Sequence, residues 1–198
     1  MDRWAAALRA LLPPTLPEAT WALVRGEALW AWARRTVASP EEAAARAHPM
    51  LGHVPRRLVV LVGVAGSGKS TAADTFGGRV VNLDRLRAGG VRDPEALSRG
   101  LAELDAALGA GDAVWDATSL VPSQRALPLS VGARHEALVT LVGVLARPEV
   151  AARRNRQRTR TVPDEVVRRQ WGRLRWPAGH EAHALAWVDE DGGEHAHQ

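Results

Sequence analysis

The chain has 198 residues, carries 26 Lys and Arg against 22 Asp and Glu for a net charge of +4, and has no cysteine, which excludes disulfides and thiolate metal sites. The apolar residues after Met1 are broken by Arg3, Arg9 and Pro13-Pro14, so neither a signal peptide nor a transmembrane run is visible. A soluble, cytoplasmic protein without a membrane partner is expected, with length enough for one α/β core and a modest extension.

Residues 1–55 read as a Trp-rich helical extension. Asp2 is placed to cap a first helix that ends before Pro13-Pro14. Thr15 with Glu18 makes a capping-box pattern for a second helix, expected to run to about Val37, and Ser39-Pro40-Glu41-Glu42 repeats the signature for a third. Trp4, Trp21, Trp30 and Trp32 fall here, half of the eight in the chain. They suit either burial that pins the extension to the core or a stacking platform for bases. His48 to Pro55, with two prolines and a glycine, reads as the linker.

In residues 56–198 the five apolar residues Leu58 to Val62 follow Arg56-Arg57 and predict a strand buried on both faces. They run into Gly63-Val64-Ala65-Gly66-Ser67-Gly68-Lys69-Ser70, the G-x-x-x-x-G-K-S of a P-loop, followed by the helix-compatible Thr71 to Phe76. Such a loop turns successive backbone N–H groups and a helix N-terminus toward one phosphate-binding spot. Gly63, Ala65, Gly66, Ser67, Gly68, Lys69, Ser70 and Thr71 are therefore candidate ATP-binding residues, with Lys69 reaching the β and γ phosphates and Ser70 ligating Mg²⁺. Of the 26 basic residues 25 are Arg and the remaining one is Lys69. The exception falls where a compact ammonium fits and a planar guanidinium does not.

Gly77-Gly78 stops the first helix, and a second strand over residues 79–83 delivers Asp84, with Arg87 on the same side if the chain turns helical. Asp93-Pro94 opens a helix closed by Gly109 or Gly111, and a third strand ends at Asp116-Ala117-Thr118-Ser119. The next helix starts near Pro122, carries Arg125 and is expected to kink or shorten at Pro128. Residues 137–145 form a fourth strand. Pro148 starts a helix with Arg153 to Arg160, a break follows at Thr161-Val162-Pro163, and another helix runs to about Arg175. Residues 184–188 are a fifth strand, and residues 189–198 read as a polar, frayed end. This pattern predicts a P-loop kinase-type α/β fold, a doubly wound parallel sheet of about five strands with an N-terminal helical extension.

Phosphoryl transfer needs a phosphate cradle, Mg²⁺, a carboxylate that deprotonates the attacking hydroxyl, and cations over the transferring group. Asp84 suits the base, or a helix N-cap. Arg87 suits an acceptor phosphate, or a surface ion pair. Arg154 and Arg158, four apart and read as one helical face, suit an Arg-rich lid near residues 150–162, or a solvated face. Asp116 either holds Mg²⁺ through water or hydrogen-bonds the loop backbone. Asn155 is placed to pin the lid turn. His180, His183, His195 and His197 lack metal-site spacing.

Together, the loop at Gly63 to Thr71, D-x-x-R at Asp84 to Arg87, D-A-T at Asp116 to Thr118 with Arg125 downstream, and R-N-x-x-R at Arg154 to Arg158 with Val162-Pro163 and Val166-Val167 resemble the bacterial and phage polynucleotide 5′-kinases. The resemblance spans about residues 57–190, with Ser119 where that family usually has Asn. It implies ATP-dependent phosphorylation of a nucleic-acid 5′-OH end, with Asp84 as general base, Arg87 on the phosphate 3′ of the terminal nucleoside, and Arg154 and Arg158 as lid arginines. The same P-loop, Asp84 and lid also suit a kinase of a small-molecule alcohol such as a sugar, antibiotic or nucleotide sugar, and a P-loop fold also suits a non-catalytic nucleotide-binding regulatory module.

Overall fold

The computed structural model describes residues 2–52, 54–88 and 93–197. The chain divides into two compact units, Met1–Pro55 and Arg56–Gln198. No helix among the described residues is long and apolar enough to cross a membrane.

The first unit holds α1 (Asp2–Ala10), α2 (Glu18–Ala33), α3 (Pro40–Ala47) and a 3-10 turn at His48–Met50. Its own core is built from Leu8, Leu12, Leu16, Val24, Ala28, Val37, Ala43 and Ala47, with Trp4 and Trp21 packed against them. The side chain of Asp2, the expected cap of α1, lies outside the described residues. Two expected boundaries are corrected. Thr15 and Glu18 form no capping box, because α2 begins at Glu18 with Pro17 at its N-cap and no side-chain cap bond. The helix also stops at Ala33, short of Val37. Arg35 adopts a left-handed φ of 58°, its N–H bonds Trp32 O at 2.9 Å, and Thr36 N–H bonds Ala31 O at 2.9 Å, a Schellman ending that satisfies the last carbonyls. Ser39 does cap α3, accepting from Glu42 N–H at 3.3 Å while the Glu42 carboxylate accepts from Ala38 N–H at 2.7 Å.

The second unit is a sheet flanked by helices. In chain order it runs β1 (Arg57–Val62), α4 (Lys69–Ala73), β2 (Arg79–Asn82), α5 (Leu83–Ala88), α6 (Asp93–Ala110), β3 (Ala113–Asp116), α7 (Pro122–Arg134), β4 (Leu138–Val144), α8 (Pro148–Arg156), α9 (Asp164–Arg173), β5 (Ala184–Val188) and β6 (Glu194–His197). The spatial order is β2-β3-β1-β4-β5-β6, parallel through β5. The alternation of β1 explains the two layers. Leu58, Val60 and Val62 face a core with Leu104, Leu108 and Val131 from α6 and α7, while Leu61 faces Ala72 and Ala73 of α4. This is the doubly wound P-loop fold, with β1 buried on both faces.

Two expectations fail here. The end is not frayed: residues 194–197 form a sixth, antiparallel strand on β5. Asp189 organises its hairpin, accepting from Asp191 N–H, Gly193 N–H and the His195 ring. Pro128 does not shorten α7, which continues to Arg134 with Pro128 buried inside it, because packing on α6, β1 and β4 outweighs one lost backbone bond.

Candidate active site

The P-loop leaves β1 and enters α4. Gly68 is the N-cap of α4 at φ 106°, and Gly66 sits at φ 80°. A Cβ on Gly66 would collide with the carbonyl of Ala151, so the backbone of α8 rests directly on the loop. The Gly63 N–H bonds Thr118 O at 3.0 Å, which ties the start of the loop to the strand end of β3. The α4 amides at Lys69 and Ser70 are among the donors that a helix start leaves without an intrahelical partner. Ser70 and Thr71 stand exposed on the first turn of α4.

Lys69 is buried, and its Nζ donates to Val64 O at 2.7 Å. Burial pulls its ammonium down to about 8, while Asp116 and Asp84 partly hold it up and Arg158 pushes it further down. The Ser70 hydroxyl donates to Asp116 Oδ2 at 2.8 Å, and Asn82 Nδ2 donates to the same oxygen at 2.5 Å. Asn82 and Asp116 are register partners at the ends of β2 and β3. Burial raises the Asp116 carboxyl above its ordinary value, although the Ser70 hydrogen bond and Lys69 oppose the rise.

Asp84 lies in the first turn of α5. Its Oδ2 accepts from Arg158 Nη2 at 3.2 Å and its Oδ1 from Arg87 Nη1 at 3.3 Å. Burial pushes this carboxyl up, but the hydrogen bond and charge of Arg158, then Arg87 and Lys69, outweigh it and hold Asp84 below the usual value. Lys69, Asp84, Asp116 and Arg158 thus form one electrostatic cluster. Arg87 is spent twice, since its Nε also donates to Asp93 Oδ1 at 2.7 Å.

The lid arginines are not on one helical face. The α8 helix stops at Arg156, and Arg158 lies beyond its end. Asn155 supplies the reason: fully buried, it donates to Val162 O at 2.7 Å and accepts from Val162 N–H at 3.1 Å, closing a loop in place of another helical turn. Consequently the two arginines separate. Arg154 turns to Ser67 O at 3.5 Å and Glu190 O at 2.7 Å, whereas Arg158 turns to Asp84.

Arg125 is fully buried. It makes a two-pronged pair with Glu181 at 2.7 Å on both sides and donates to Ser119 O and Arg175 O at 3.1 Å. It therefore braces the loop after β3 and touches none of the cluster around Lys69. Ser119 takes φ 45°, a left-handed conformation that Asn tolerates better, and its hydroxyl is buried with no partner among the described residues.

Sequence reasoning missed Asn82 and Gln170. Gln170, on α9, accepts from the P-loop N–H of Ala65 at 2.8 Å. A polar residue ending an apolar strand was the available signal for Asn82. For Gln170, 105 residues from its partner, no local pattern exists.

The oxygen pair of Ser70 and Asp116 suits a hard cation, and Asn82, a donor there, would orient the carboxylate. Among the described residues no three His, Asp or Glu cluster to hold a metal alone. These groups fit Mg²⁺ shared with a nucleotide's phosphates.

No curated protein matches the sequence. The fold of this chain recurs among solved structures, two of which are similar as follows. A sugar kinase from Janibacter sp. HTCC2649 superposes with a TM-score of 0.52 at 22% identity, over 70% of this chain and 88% of that one. Kti12 of Chaetomium thermophilum, in complex with ADP-AlF3, superposes with a TM-score of 0.52 at 16% identity, over 67% and 88%. Residues 58–177, more than half of the chain and running from within β1 past α9, match the AAA domain family. The P-loop described above lies inside that match, and the chain belongs to the AAA domain family.

Proposed function

We propose that the chain is an ATP-dependent kinase that transfers the γ-phosphoryl group to the hydroxyl of a small molecule. One observation carries the reading: a carboxylate, Asp84, stands in the same electrostatic cluster as the P-loop Lys69 and the Ser70–Asp116 pair. A carboxylate so placed can take the proton of an attacking hydroxyl, and its depressed pKa keeps it ionised for that task. Lys69 would neutralise the β and γ phosphates, Arg154 and Arg158 would close over them, and the loop amides would hold them. Mg²⁺, held by Ser70 and Asp116, would offset the phosphate charge.

The small-molecule acceptor is favoured over a polynucleotide end by Arg87. The residue that a second acceptor phosphate would need is bound to both Asp84 and Asp93. The fold shared with a sugar kinase supports the same direction. The 5′-OH polynucleotide end is the second reading, supported by nine arginines between Arg153 and Arg175, of which Arg158 reaches the base. A nucleotide-binding regulatory module would share the cradle without using Asp84.

Labelled ATP supplied with a panel of sugars and sugar acids, and separately with a 5′-OH oligonucleotide, tests the assignment. Label in the small alcohols, lost in Asp84→Asn, is the expected result. Label only in the oligonucleotide would establish the second reading, and no transfer despite ATP binding would favour the module.

A further inference from the structure

The Val64–Ala65 peptide is held at both ends. Lys69 Nζ donates to its carbonyl at 2.7 Å, and Gln170 Oε1 accepts from its N–H at 2.8 Å. Because a backbone N–H can only donate, the contact fixes which end of the Gln170 amide faces the loop: the oxygen. The peptide therefore sits beside the ammonium that must engage the outer phosphates of a bound nucleotide, and a residue of α9 occupies its donor.

A terminal phosphate brings anionic oxygens to this place. They attract the Ala65 N–H and the Lys69 ammonium and repel the Gln170 carbonyl oxygen. A rotation about the last side-chain torsion exchanges Oε1 for Nε2, which turns repulsion into donation. A diphosphate, which ends one phosphate sooner, leaves the Gln170–Ala65 bond in place. We propose that Gln170 is a positioning residue that reads the terminal phosphate, so that α9 distinguishes a nucleoside triphosphate from a diphosphate. This rests on the nucleotide-binding reading of the P-loop and on nothing about the acceptor. Trp171, the next residue, packs with the cluster of Val64, Leu120 and Val150, so displacement of Gln170 reaches a fluorescent ring.

The test uses the full chain and titration calorimetry with Mg²⁺-ATP and Mg²⁺-ADP. Gln170→Glu keeps the length and an acceptor for Ala65 N–H but replaces the donor with a second, charged oxygen. The expected result is ADP affinity within about threefold of the native chain and ATP affinity reduced roughly 10- to 150-fold, the size of one charge-assisted contact. Gln170→Ala should fall between them. Equal losses for ATP and ADP in Gln170→Glu would show that Gln170 merely props the loop. Unchanged affinity for both would show that it reads nothing, and either result overturns this inference alone. Failure of the native chain to bind either nucleotide would overturn the inference together with the proposed function.

Discussion

Arg158 and Asp84, 74 residues apart in sequence, meet at 3.2 Å, so the candidate base is held by a residue of the candidate lid. Against burial, that contact contributes most to holding the Asp84 carboxyl below its ordinary value, and it also occupies one of its oxygens. On the proposed reading, turnover would move Arg158 from Asp84 toward the phosphates as the acceptor hydroxyl arrives. Asp84→Asn, which keeps the shape and removes proton acceptance, should lower kcat by about 10²-fold or more with ATP affinity nearly unchanged, as steady-state kinetics and calorimetry would show. The acid limb of the native pH profile should lie below the ordinary aspartate range. In Arg158→Ala, where burial is no longer outweighed to the same degree, the residual activity should lose its acid limb at higher pH.

Lys69 should couple nucleotide binding to protons. Its free ammonium titrates near 8, well below its ordinary value, and phosphate charge favours the protonated form. ATP affinity should therefore fall as pH rises through about 8, and binding at pH 8.5 should take up a proton, seen by calorimetry in buffers of different ionisation enthalpy. Between about 8 and 10.5 the nucleotide-free fold binds fewer protons than the unfolded chain, so this residue's contribution should make stability rise with pH there. Lys69→Ala should remove ATP turnover and leave the fold intact.

Arg125 should matter for stability before activity. Arg125→Met would leave Glu181, only 11% exposed, without its partner and would orphan two carbonyls. A loss of about 3–5 kcal/mol is expected from breaking a buried pair by one member, measured by urea unfolding of the full chain. Burial raises Glu181, but the Arg125 hydrogen bonds and charge more than reverse it. The stability from this pair is therefore present above the unfolded carboxylate range and lost as pH falls through the lower folded value.

Asp116→Asn should raise the Mg²⁺ concentration for half-maximal turnover by roughly 10- to 100-fold, and Asn82→Ala should act in the same direction more weakly. An Mg²⁺ titration of turnover at saturating ATP decides it. An unchanged requirement in Asp116→Asn would remove that carboxylate from the metal and leave it as an acceptor for the Ser70 hydroxyl and the Asn82 amide.

The fold was legible because its signals are local. The apolar run of β1, the P-loop glycines and the carboxylates at strand ends each specify their own geometry within a few residues. Helix starts were legible where a side-chain cap or a proline in the first turn marks them, as at Ser39, Pro122 and Pro148. Where backbone geometry ended the helix, as at Arg35, or a distant loop claimed a side chain, as at Asn155, the pattern overshot. The pairing of Arg158 with Asp84, and of Gln170 with Ala65, joins residues 74 and 105 apart. Such contacts arise from packing of whole elements, which hydrophobic periodicity does not encode.

Gly66 occupies a position that the P-loop motif leaves open to any residue, yet here the Ala151 carbonyl closes it. Between loop and helix there is bare peptide against bare peptide, with no side chain to bend or swing as a cushion. A displacement of the phosphate cradle is therefore passed on to α8 at once, and α8 carries Arg154 and Asn155, which anchors the turn that ends at Val162. The seat of the phosphates and the root of the arginine loop should therefore move as a single stiff lever, and even a methyl group at residue 66 would press against the Ala151 carbonyl.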